Sequence, residues 1–248
     1  EFKLKVKTQQ IGISCALIKL KRLKFCHVTI MNKGDQIMLV KNWMSKNVIT
    51  VDVNDSMQDA MKLLKENDIR MLPVMKKARL VGIVTDRDLK KASASDATTL
   101  EVHELLYLLM KIKVKDIMTR DVITVPPDYT VEETAQVLQK NRISGAPVVA
   151  ADGQLVGTIT QTDLFRVLIS LTGVGNGGIQ FGFQVEDKPG SIKEVADIIR
   201  IYGGRMVSIL SSYDDVAEGY RKVYIRMRSI ERSELQKLIK EIGRASCR

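Results

Sequence analysis

An internal repeat constrains this chain more than any other feature of its sequence. A shift of 74 positions lays VKNWMSKNVITV (40–51) on VKDIMTRDVITV (114–125), and a shift of 75 lays LVGIVTDRD (80–88) on LVGTITQTD (155–163). Such a repeat indicates one structural unit present twice. Because a unit of about sixty residues is near the lower size limit for independent folding, we expect the two copies to bury their sheets against each other.

Each copy has the residue pattern of a strand-helix-strand-strand-helix unit. The β-branched run Val48–Val51 predicts a first strand, and the apolar runs 72–75 and 80–84 predict two more, before a helix from Asp86. Apolar residues at helical spacing predict the intervening helix: Met57, Ala60, Met61 and Leu64. The predicted fold class is therefore α+β.

The motifs of the two copies resemble those of a tandem pair of CBS domains. They are WMSKNVITV, DIRMLPV and GIVTDRD in the first copy, and DIMTRDVITV, NRISGAPV and GTITQTD in the second. We take the first domain as residues 38–95 and the second as residues 114–171. The resemblance implies that two βαββα units pair as a Bateman module.

Both ends of the chain depart from this pattern. The residues KGDQI before Met38 can be encoded by DNA that contains a ribosome-binding sequence, and EIGRASCR (241–248) resembles a translated sequencing adapter. We therefore expect residues 1–37 to be translated upstream DNA, Met38 to be the native start, and the native C-terminus to be missing.

Setting these ends aside changes what the composition indicates. The formal net charge of +10 includes +6 from residues 1–37 and +1 from 241–248, which leaves +3 for 38–240. All three cysteines lie in the excluded ends, and His103 is the one histidine between them. The sequence thus gives no indication of a nucleic-acid partner, a disulfide framework or a metal site. With no apolar run long enough for a bilayer and no signal peptide after Met38, we expect a cytoplasmic protein. We also expect no cofactor, because the sequence has no metal cluster and no Gly-rich phosphate loop.

A Thr-x-x-Asp turn follows the last strand of each copy, with Thr85 and Asp88 in the first and Thr160 and Asp163 in the second. A hydroxyl at a helix N-terminus suits a phosphate oxygen, and a carboxylate one turn on can accept from ribose hydroxyls. The same spacing also forms a capping box, which only satisfies the amides of its own helix. The family resemblance favours the first interpretation, because it implies that these residues contact an adenosine-containing ligand. Four strand residues are expected to form an apolar wall for the purine: Ile49, Val51, Ile123 and Val125.

The residues before the shared proline differ between the copies. The second copy has Gly145 and Ala146, and small residues allow a ligand to approach the backbone. The second cleft therefore ranks first for the nucleoside, and replacing Asp163 is expected to weaken binding more than replacing Asp88. In the first copy Arg70 is a candidate phosphate partner, with a solvated surface charge as the alternative.

Two connecting segments have distinct compositions. Residues 96–113 are expected to form a helix that packs against a neighbouring module or subunit, because four leucines are too dense for a solvated helix: Leu105, Leu106, Leu108 and Leu109. Residues 172–178, TGVGNGG, have the composition of a flexible linker.

Residues 179–240 have a third pattern, β-α-β-β-α, which is ferredoxin-like with its last strand missing. Ser191 and Glu194 predict a capping box at the start of the first helix, and Gly203 predicts its end. The turn DKPGS and the pair GG resemble those of an ACT domain, a small amino-acid-sensing module. The resemblance implies an amino-acid ligand near three turn residues: Asp187, Gly190 and Ser191. The alternative is that these residues only shape the turn and start the helix.

Two CBS domains followed by an ACT domain resemble the acetoin-utilisation proteins of bacteria. This resemblance implies a homodimeric regulatory protein, linked to acetoin or acetate metabolism, that senses AMP, ADP, ATP or S-adenosylmethionine and acts on a protein partner. The residues agree with a protein that is not an enzyme, because they contain no Ser-His-Asp set and no phosphate loop followed by lysine. Two alternatives stay open: a constitutive scaffold whose Thr-x-x-Asp turns only cap helices, and a regulatory fragment of an enzyme such as an IMP dehydrogenase or an amino-acid biosynthetic enzyme.

Overall fold

The computed structural model describes residues 38–96, 111–228 and 230–245. The predicted leader 1–37, residues 97–110 of the predicted linker helix, and residues 246–248 lie outside this set. The predictions for His103 and for the four leucines of the linker therefore concern residues that the structure does not describe.

The first repeat pairs a three-stranded sheet with helices. Its elements are α1 (Val40–Trp43), β1 (Val51–Asp52), α2 (Met57–Glu66), β2 (Met71–Lys76), β3 (Arg79–Thr85) and α3 (Asp86–Asp96). Strand β1 runs parallel to β2, and β2 runs antiparallel to β3. The predicted strand Val48–Val51 is confirmed only at its last residue, because the chain before it leads away to pair Ser45 with Thr158 of the second repeat.

Helix α2 buries the face that its apolar spacing predicts, with one exception. Met57, Ala60 and Leu64 are buried, whereas Met61 is 40% exposed and was wrongly expected to lie on the apolar face. A capping box formed by Ser56 and Asp59 starts this helix.

The second repeat has the same order of elements. They are α4 (Val114–Ile117), α5 (Val131–Asn141), β4 (Gly145–Val149), β5 (Leu155–Thr160) and α6 (Gln161–Thr172). Strands β4 and β5 are antiparallel, and the counterpart of β1 is reduced to one parallel bridge between Val125 and Val148. The predicted strand-helix-strand-strand-helix order is confirmed in the first repeat, whereas in the second repeat its first strand is only this bridge.

The two repeats exchange their first segments. Val40 of helix α1 is fully buried in the core of the second repeat, and Val114 of helix α4 is fully buried in the core of the first. Hydrogen bonds follow the same exchange, since the Ser45 amide donates to the Thr158 carbonyl at 2.9 Å and the Ile83 amide to the Thr119 carbonyl at 2.9 Å. Each compact half therefore contains residues from both copies.

The glycine at the start of each repeated motif lies beneath an exchanged segment. A Cβ atom on Gly82 would lie 2.5 Å from the Sδ atom of Met118, and one on Gly157 would lie 2.5 Å from the Sδ atom of Met44. Any side chain at these positions would have to displace the methionine side chain, and its Cβ atom would also lie 3.2 Å from the Thr119 carbonyl oxygen or 3.0 Å from the Ser45 carbonyl oxygen. Glycine is needed here for close approach between the repeats.

The C-terminal module is a three-stranded antiparallel sheet covered by two helices. It consists of β6 (Ile179–Glu186), α7 (Ser191–Ile201), β7 (Arg205–Ser212), β8 (Tyr220–Arg228) and α8 (Arg232–Ala245). The sheet order is β6-β8-β7, so the first two strands of the module flank the third. The predicted β-α-β-β-α order is confirmed. Helix α8 runs past the predicted boundary at residue 240, and Ile242 packs in the core of this module.

The predicted capping box of Ser191 and Glu194 is wrong. Gly190 is the N-cap residue, with a φ angle of 97°, and no side chain caps the helix. Ser191 is instead the first helical residue and is buried, and its hydroxyl accepts a hydrogen bond from Arg221 at 3.2 Å. Gly203 follows the helix with a φ of 75°, as its predicted end requires.

The Gly-rich connection is a packed turn rather than an open tether. Residues Val174–Asn176 form a 3-10 turn. Gly173 and Gly178 have positive φ angles, and a Cβ atom on them would lie 2.4 Å from Val207 and 2.2 Å from Met227 respectively. Glycine is therefore required for both conformation and packing.

Candidate functional site

The Thr-x-x-Asp turn of the first repeat joins strand β3 to helix α3. The amide and the hydroxyl of Thr85 both donate to Asp88 Oδ2, at 2.9 and 2.7 Å. The Asp88 amide in turn lies 3.4 Å from Thr85 Oγ1. This is a capping box, and it holds the carboxylate at the helix N-terminus with its second oxygen, Oδ1, outside the box.

The second repeat builds the same turn between β5 and α6. The amide and the hydroxyl of Thr160 donate to Asp163 Oδ2, both at 2.8 Å. The Asp163 amide lies 3.4 Å from Thr160 Oγ1. The capping box, which was the alternative interpretation of the spacing, is therefore formed in both copies. A ligand would have to bind the remaining carboxylate oxygen, Oδ1.

The two carboxylates differ in that remaining oxygen. Asp163 is buried, and its Oδ1 accepts a hydrogen bond from Arg166 Nη2 at 3.0 Å. Asp88 is only half-buried, and its Oδ1 has no hydrogen-bond partner within the described part of the chain. The contacts of the carboxylates thus favour the first turn, whereas the size of the neighbouring residues ranked the second turn first.

The small residues of the second repeat serve its own packing. Gly145 lies opposite Thr160 in the sheet, and a Cβ atom on it would lie 3.0 Å from Thr160 Cγ2. Ala146 is fully buried in the core of the repeat. Both positions are therefore packed against protein atoms in this structure.

The four residues expected to form the apolar wall separate into two classes. Val51 and Val125 are buried in the cores of the two repeats, with exposed fractions of 2% and 1%. Ile49 and Ile123 are partly exposed. Of the four residues, only the two isoleucines therefore have exposed apolar surface to an appreciable degree.

Arg70 lies beside the first turn. Its side chain is exposed, and its carbonyl oxygen accepts a hydrogen bond from the amide of Asp86, the first residue of α3, at 3.2 Å. The equivalent carbonyl in the second repeat belongs to Ser144, which accepts from the Gln161 amide at 2.8 Å. The residue whose carbonyl accepts from the first amide of the helix is thus an arginine in the first repeat and a serine in the second.

In the C-terminal module, two of the predicted turn residues contact Arg221, which was not predicted as a site residue. Arg221 Nε lies 3.4 Å from Asp187 Oδ1, and Arg221 Nη2 donates to Ser191 Oγ at 3.2 Å. The Nε atom is buried without a hydrogen bond among the described residues. Gly190 lies beside them with open space around its Cα. Only the antiparallel register of β6 and β8, which sets Val185 opposite Arg221, brings this arginine to the turn, so no local motif could have identified it.

The described residues contain neither a metal cluster nor a membrane-spanning helix. No group of three or more His, Cys, Asp or Glu side chains there could hold a metal ion. Within the same ranges no helix has the length and apolar character that a membrane span requires.

Two α+β repeats exchange their first segments, and each has a Thr-x-x-Asp turn before its last helix. This architecture defines a class of tandem-domain proteins, and comparison with known proteins identifies the same class. The CBS domain profile matches residues 40–95 and 114–170. The uncharacterized protein MJ1426 of Methanocaldococcus jannaschii is 34% identical over 167 residues, which are 57% of this chain and 99% of that protein. The chain belongs to the CBS domain family.

The same region also matches part of an enzyme. Inosine-5'-monophosphate dehydrogenase of Korarchaeum cryptofilum is 37% identical over 134 residues. These residues are 54% of this chain and only 25% of the enzyme. The similarity to this enzyme is therefore confined to a quarter of its length.

Two solved structures overlap the same part of the chain. The CBS domain pair of protein MJ0100, in complex with 5'-methylthioadenosine and S-adenosyl-L-methionine, is 36% identical and covers 52% of this chain and 94% of that chain, with a TM-score of 0.45. A putative acetoin utilization protein (AcuB) from Vibrio cholerae is 29% identical and covers 57% of this chain and 97% of that chain, with a TM-score of 0.47.

Proposed function

We propose that this chain is a regulatory protein without catalytic activity, and that its CBS pair binds an adenosine-containing ligand: AMP, ADP, ATP or S-adenosylmethionine. One observation carries the proposal. A carboxylate is fixed at the N-terminus of the last helix in each repeat, and in the first repeat its Oδ1 atom is left without a partner among the described residues.

The chemistry of the first turn suits such a ligand. Asp88 Oδ1 can accept hydrogen bonds from the two ribose hydroxyls, since each carboxylate oxygen has two acceptor sites. The N-terminus of α3 attracts a phosphate through its amides and its dipole, and Arg70 adds a positive charge beside it. Ile49 provides a partly exposed apolar surface for the base.

The ligand would act by shifting the packing of the two repeats. Each repeat holds the first segment of the other, so a change at one turn acts on both halves. Helix α6 extends this connection, because its last carbonyl, at Thr172, accepts from Arg226 Nε at 2.9 Å and from Ser208 Oγ at 2.8 Å in the C-terminal module. A ligand can shift such an equilibrium only by its difference in affinity for the two states.

We further propose that the C-terminal module is an ACT domain that binds an amino acid near Asp187, Gly190 and Ser191. The antiparallel β6-β8-β7 order supports this assignment, as it is the order of a ferredoxin-like sheet without its fourth strand. The guanidinium group of Arg221 supplies a positive charge for a ligand carboxylate at this turn. The domain order is also the basis for a proposed link to acetoin or acetate metabolism in a bacterium, through a protein partner yet to be identified.

A homodimer is part of the same proposal. Phe165, Leu168 and Ile169 lie on one face of α6 and are 61%, 55% and 53% exposed. An apolar stripe of this kind on a helix is typical of a surface covered by another subunit.

Two other functions each have a supporting observation. The capping boxes at both Thr-x-x-Asp turns support a scaffold whose turns bind no ligand. The match to a quarter of an IMP dehydrogenase supports a regulatory part of a longer enzyme.

Calorimetric titration tests the proposal against the scaffold alternative. AMP, ADP, ATP and S-adenosylmethionine are titrated into the protein and into the double variant Asp88→Asn/Asp163→Asn, and saturable binding that the double variant loses is expected. Asp59→Asn is the matched control, because Asp59 has the same place in a capping box at α2 but does not follow a repeated β-strand motif. Absence of binding for all four compounds, or equal weakening by the control, would favour the scaffold.

A further inference from the structure

We propose that the two turns are not equivalent, and that Arg166 closes the second one by occupying the position of the ligand's ribose hydroxyls. This inference rests on the proposed function and adds to it which repeat binds the nucleoside. It also reverses the order that the sequence predicted from the small residues Gly145 and Ala146.

Arg166 makes two contacts that close the second turn. Its Nη2 atom donates to Asp163 Oδ1 at 3.0 Å and to the Trp43 carbonyl at 2.8 Å. Because Asp163 Oδ2 is already used by Thr160, both oxygens of this buried carboxylate have a donor from the protein itself. A ribose hydroxyl would have to displace a charged hydrogen-bond donor, which makes stronger contacts with a carboxylate than a neutral hydroxyl does.

The Trp43 contact fixes the arginine to the exchanged segment. Trp43 ends helix α1, which comes from the first repeat and packs in the second. Arg166 therefore joins the second turn to the other repeat, and its release would loosen that connection. The side chain is 59% exposed, so water can take its place when it moves away.

The first turn lacks this closure. Lys91 occupies the position equivalent to Arg166, 75 residues earlier. Its side chain is exposed, and it forms no hydrogen bond or ion pair within the described ranges. Asp88 keeps an available oxygen, and Arg70 stands where the second repeat has the neutral Ser144. The first turn is thus open to both the ribose and a phosphate.

The test is a calorimetric titration, with whichever of AMP, ADP and ATP binds the wild-type protein most tightly. The wild type is expected to bind one nucleotide per chain. Asp88→Asn is expected to weaken this binding roughly tenfold or more, as the loss of a hydrogen bond to a charged group predicts, while Asp163→Asn leaves it nearly unchanged. Arg166→Gln is expected to open the second turn and raise the stoichiometry to two, and Lys91→Gln is the matched control that should leave it at one.

Three results would overturn the inference: two sites in the wild type, stronger weakening by Asp163→Asn than by Asp88→Asn, or a single site in folded Arg166→Gln. Circular dichroism establishes whether each variant is folded. If Arg166→Gln does not fold, the comparison of Asp88→Asn with Asp163→Asn still decides which turn binds the nucleotide. Absence of nucleotide binding by the wild type and all variants would instead contradict the proposed function itself.

Discussion

Gly82 and Gly157 begin the repeated motifs, and they explain part of the repeat without reference to a ligand. Each allows the methionine of an exchanged segment to pass close to a strand, with Met118 over Gly82 and Met44 over Gly157. The threonine and aspartate three and six residues later form the capping turn. A single motif thus combines a packing position with the turn that we propose as a ligand site.

Replacing these glycines by alanine is expected to destabilise the CBS pair. Gly82→Ala and Gly157→Ala each place a methyl group against a methionine sulfur, and overpacking of this kind lowers the free energy of unfolding by about 1–3 kcal/mol. Gly175→Ala is the control, because nothing lies within 4 Å of its added Cβ atom. Urea denaturation measures all three, and a loss in Gly175→Ala as large as in the other two would contradict the steric explanation.

In the described part of the chain, a Ser or Thr with an Asp or Glu three residues later forms a capping box at four helices: α2, α3, α5 and α6. Helices α2 and α5 have boxes made by Ser56 with Asp59 and by Thr130 with Glu133. The boxes of α3 and α6 have the same hydrogen-bond pattern, and they differ in following a strand that contains a tightly packed glycine. Sequence spacing predicts a box in all four cases, so it could not distinguish a cap from a binding turn.

The Ser56–Asp59 box makes the stability of α2 depend on pH. The pKa of the Asp59 carboxyl lies below its usual range because the hydroxyl and the amide of Ser56 donate to it, at 2.6 and 3.1 Å. A carboxyl whose pKa is lowered by folding contributes stability above its unfolded pKa of about 3.9 and loses that contribution as the pH falls through the folded pKa.

Asp59→Asn is therefore expected to lower the free energy of unfolding at pH 7 and to have a smaller effect near pH 3. Ser56→Ala removes the cap itself, and its expected loss at pH 7 is about 1 kcal/mol. Urea denaturation at the two pH values measures both variants. An effect of Asp59→Asn that is the same at both pH values would contradict this account of the box.

At the scale of the whole molecule, the exchange of first segments is the feature that sequence could not predict. Local periodicity predicted the longer helices and most strands, because each has its apolar spacing within one window of the chain, but it did not predict the short helices α1 and α4. The exchange is made by single bridges between distant residues, such as Ser45 with Thr158, and these leave no periodic pattern. The sequence also could not predict two other features, because both depend on contacts between distant residues. These are the burial of Val51 and Val125 and the position of Arg221 at the C-terminal turn.

The exchange predicts that a mutation in the first segment weakens the second repeat. Val40→Ala removes two fully buried methyl groups from the core that contains β4 and β5. The free energy of unfolding is expected to fall by about 2 kcal/mol. Hydrogen exchange should become faster in β4 and β5 and stay nearly unchanged in β2 and β3. Lys46→Ala, at an exposed position in the same segment, is the control. Faster exchange in the first repeat alone would contradict the exchanged arrangement.

Nuclear magnetic resonance tests, at the residues concerned, whether an adenosine ligand binds at a Thr-x-x-Asp turn. The ligand that binds most tightly is added to isotope-labelled protein while the amide signals of Thr85 and Asp88 are compared with those of Ser56 and Asp59. We expect saturable shifts of the Thr85 and Asp88 signals and nearly constant signals of Ser56 and Asp59. Unchanged signals at Thr85 and Asp88 with saturating ligand would contradict it.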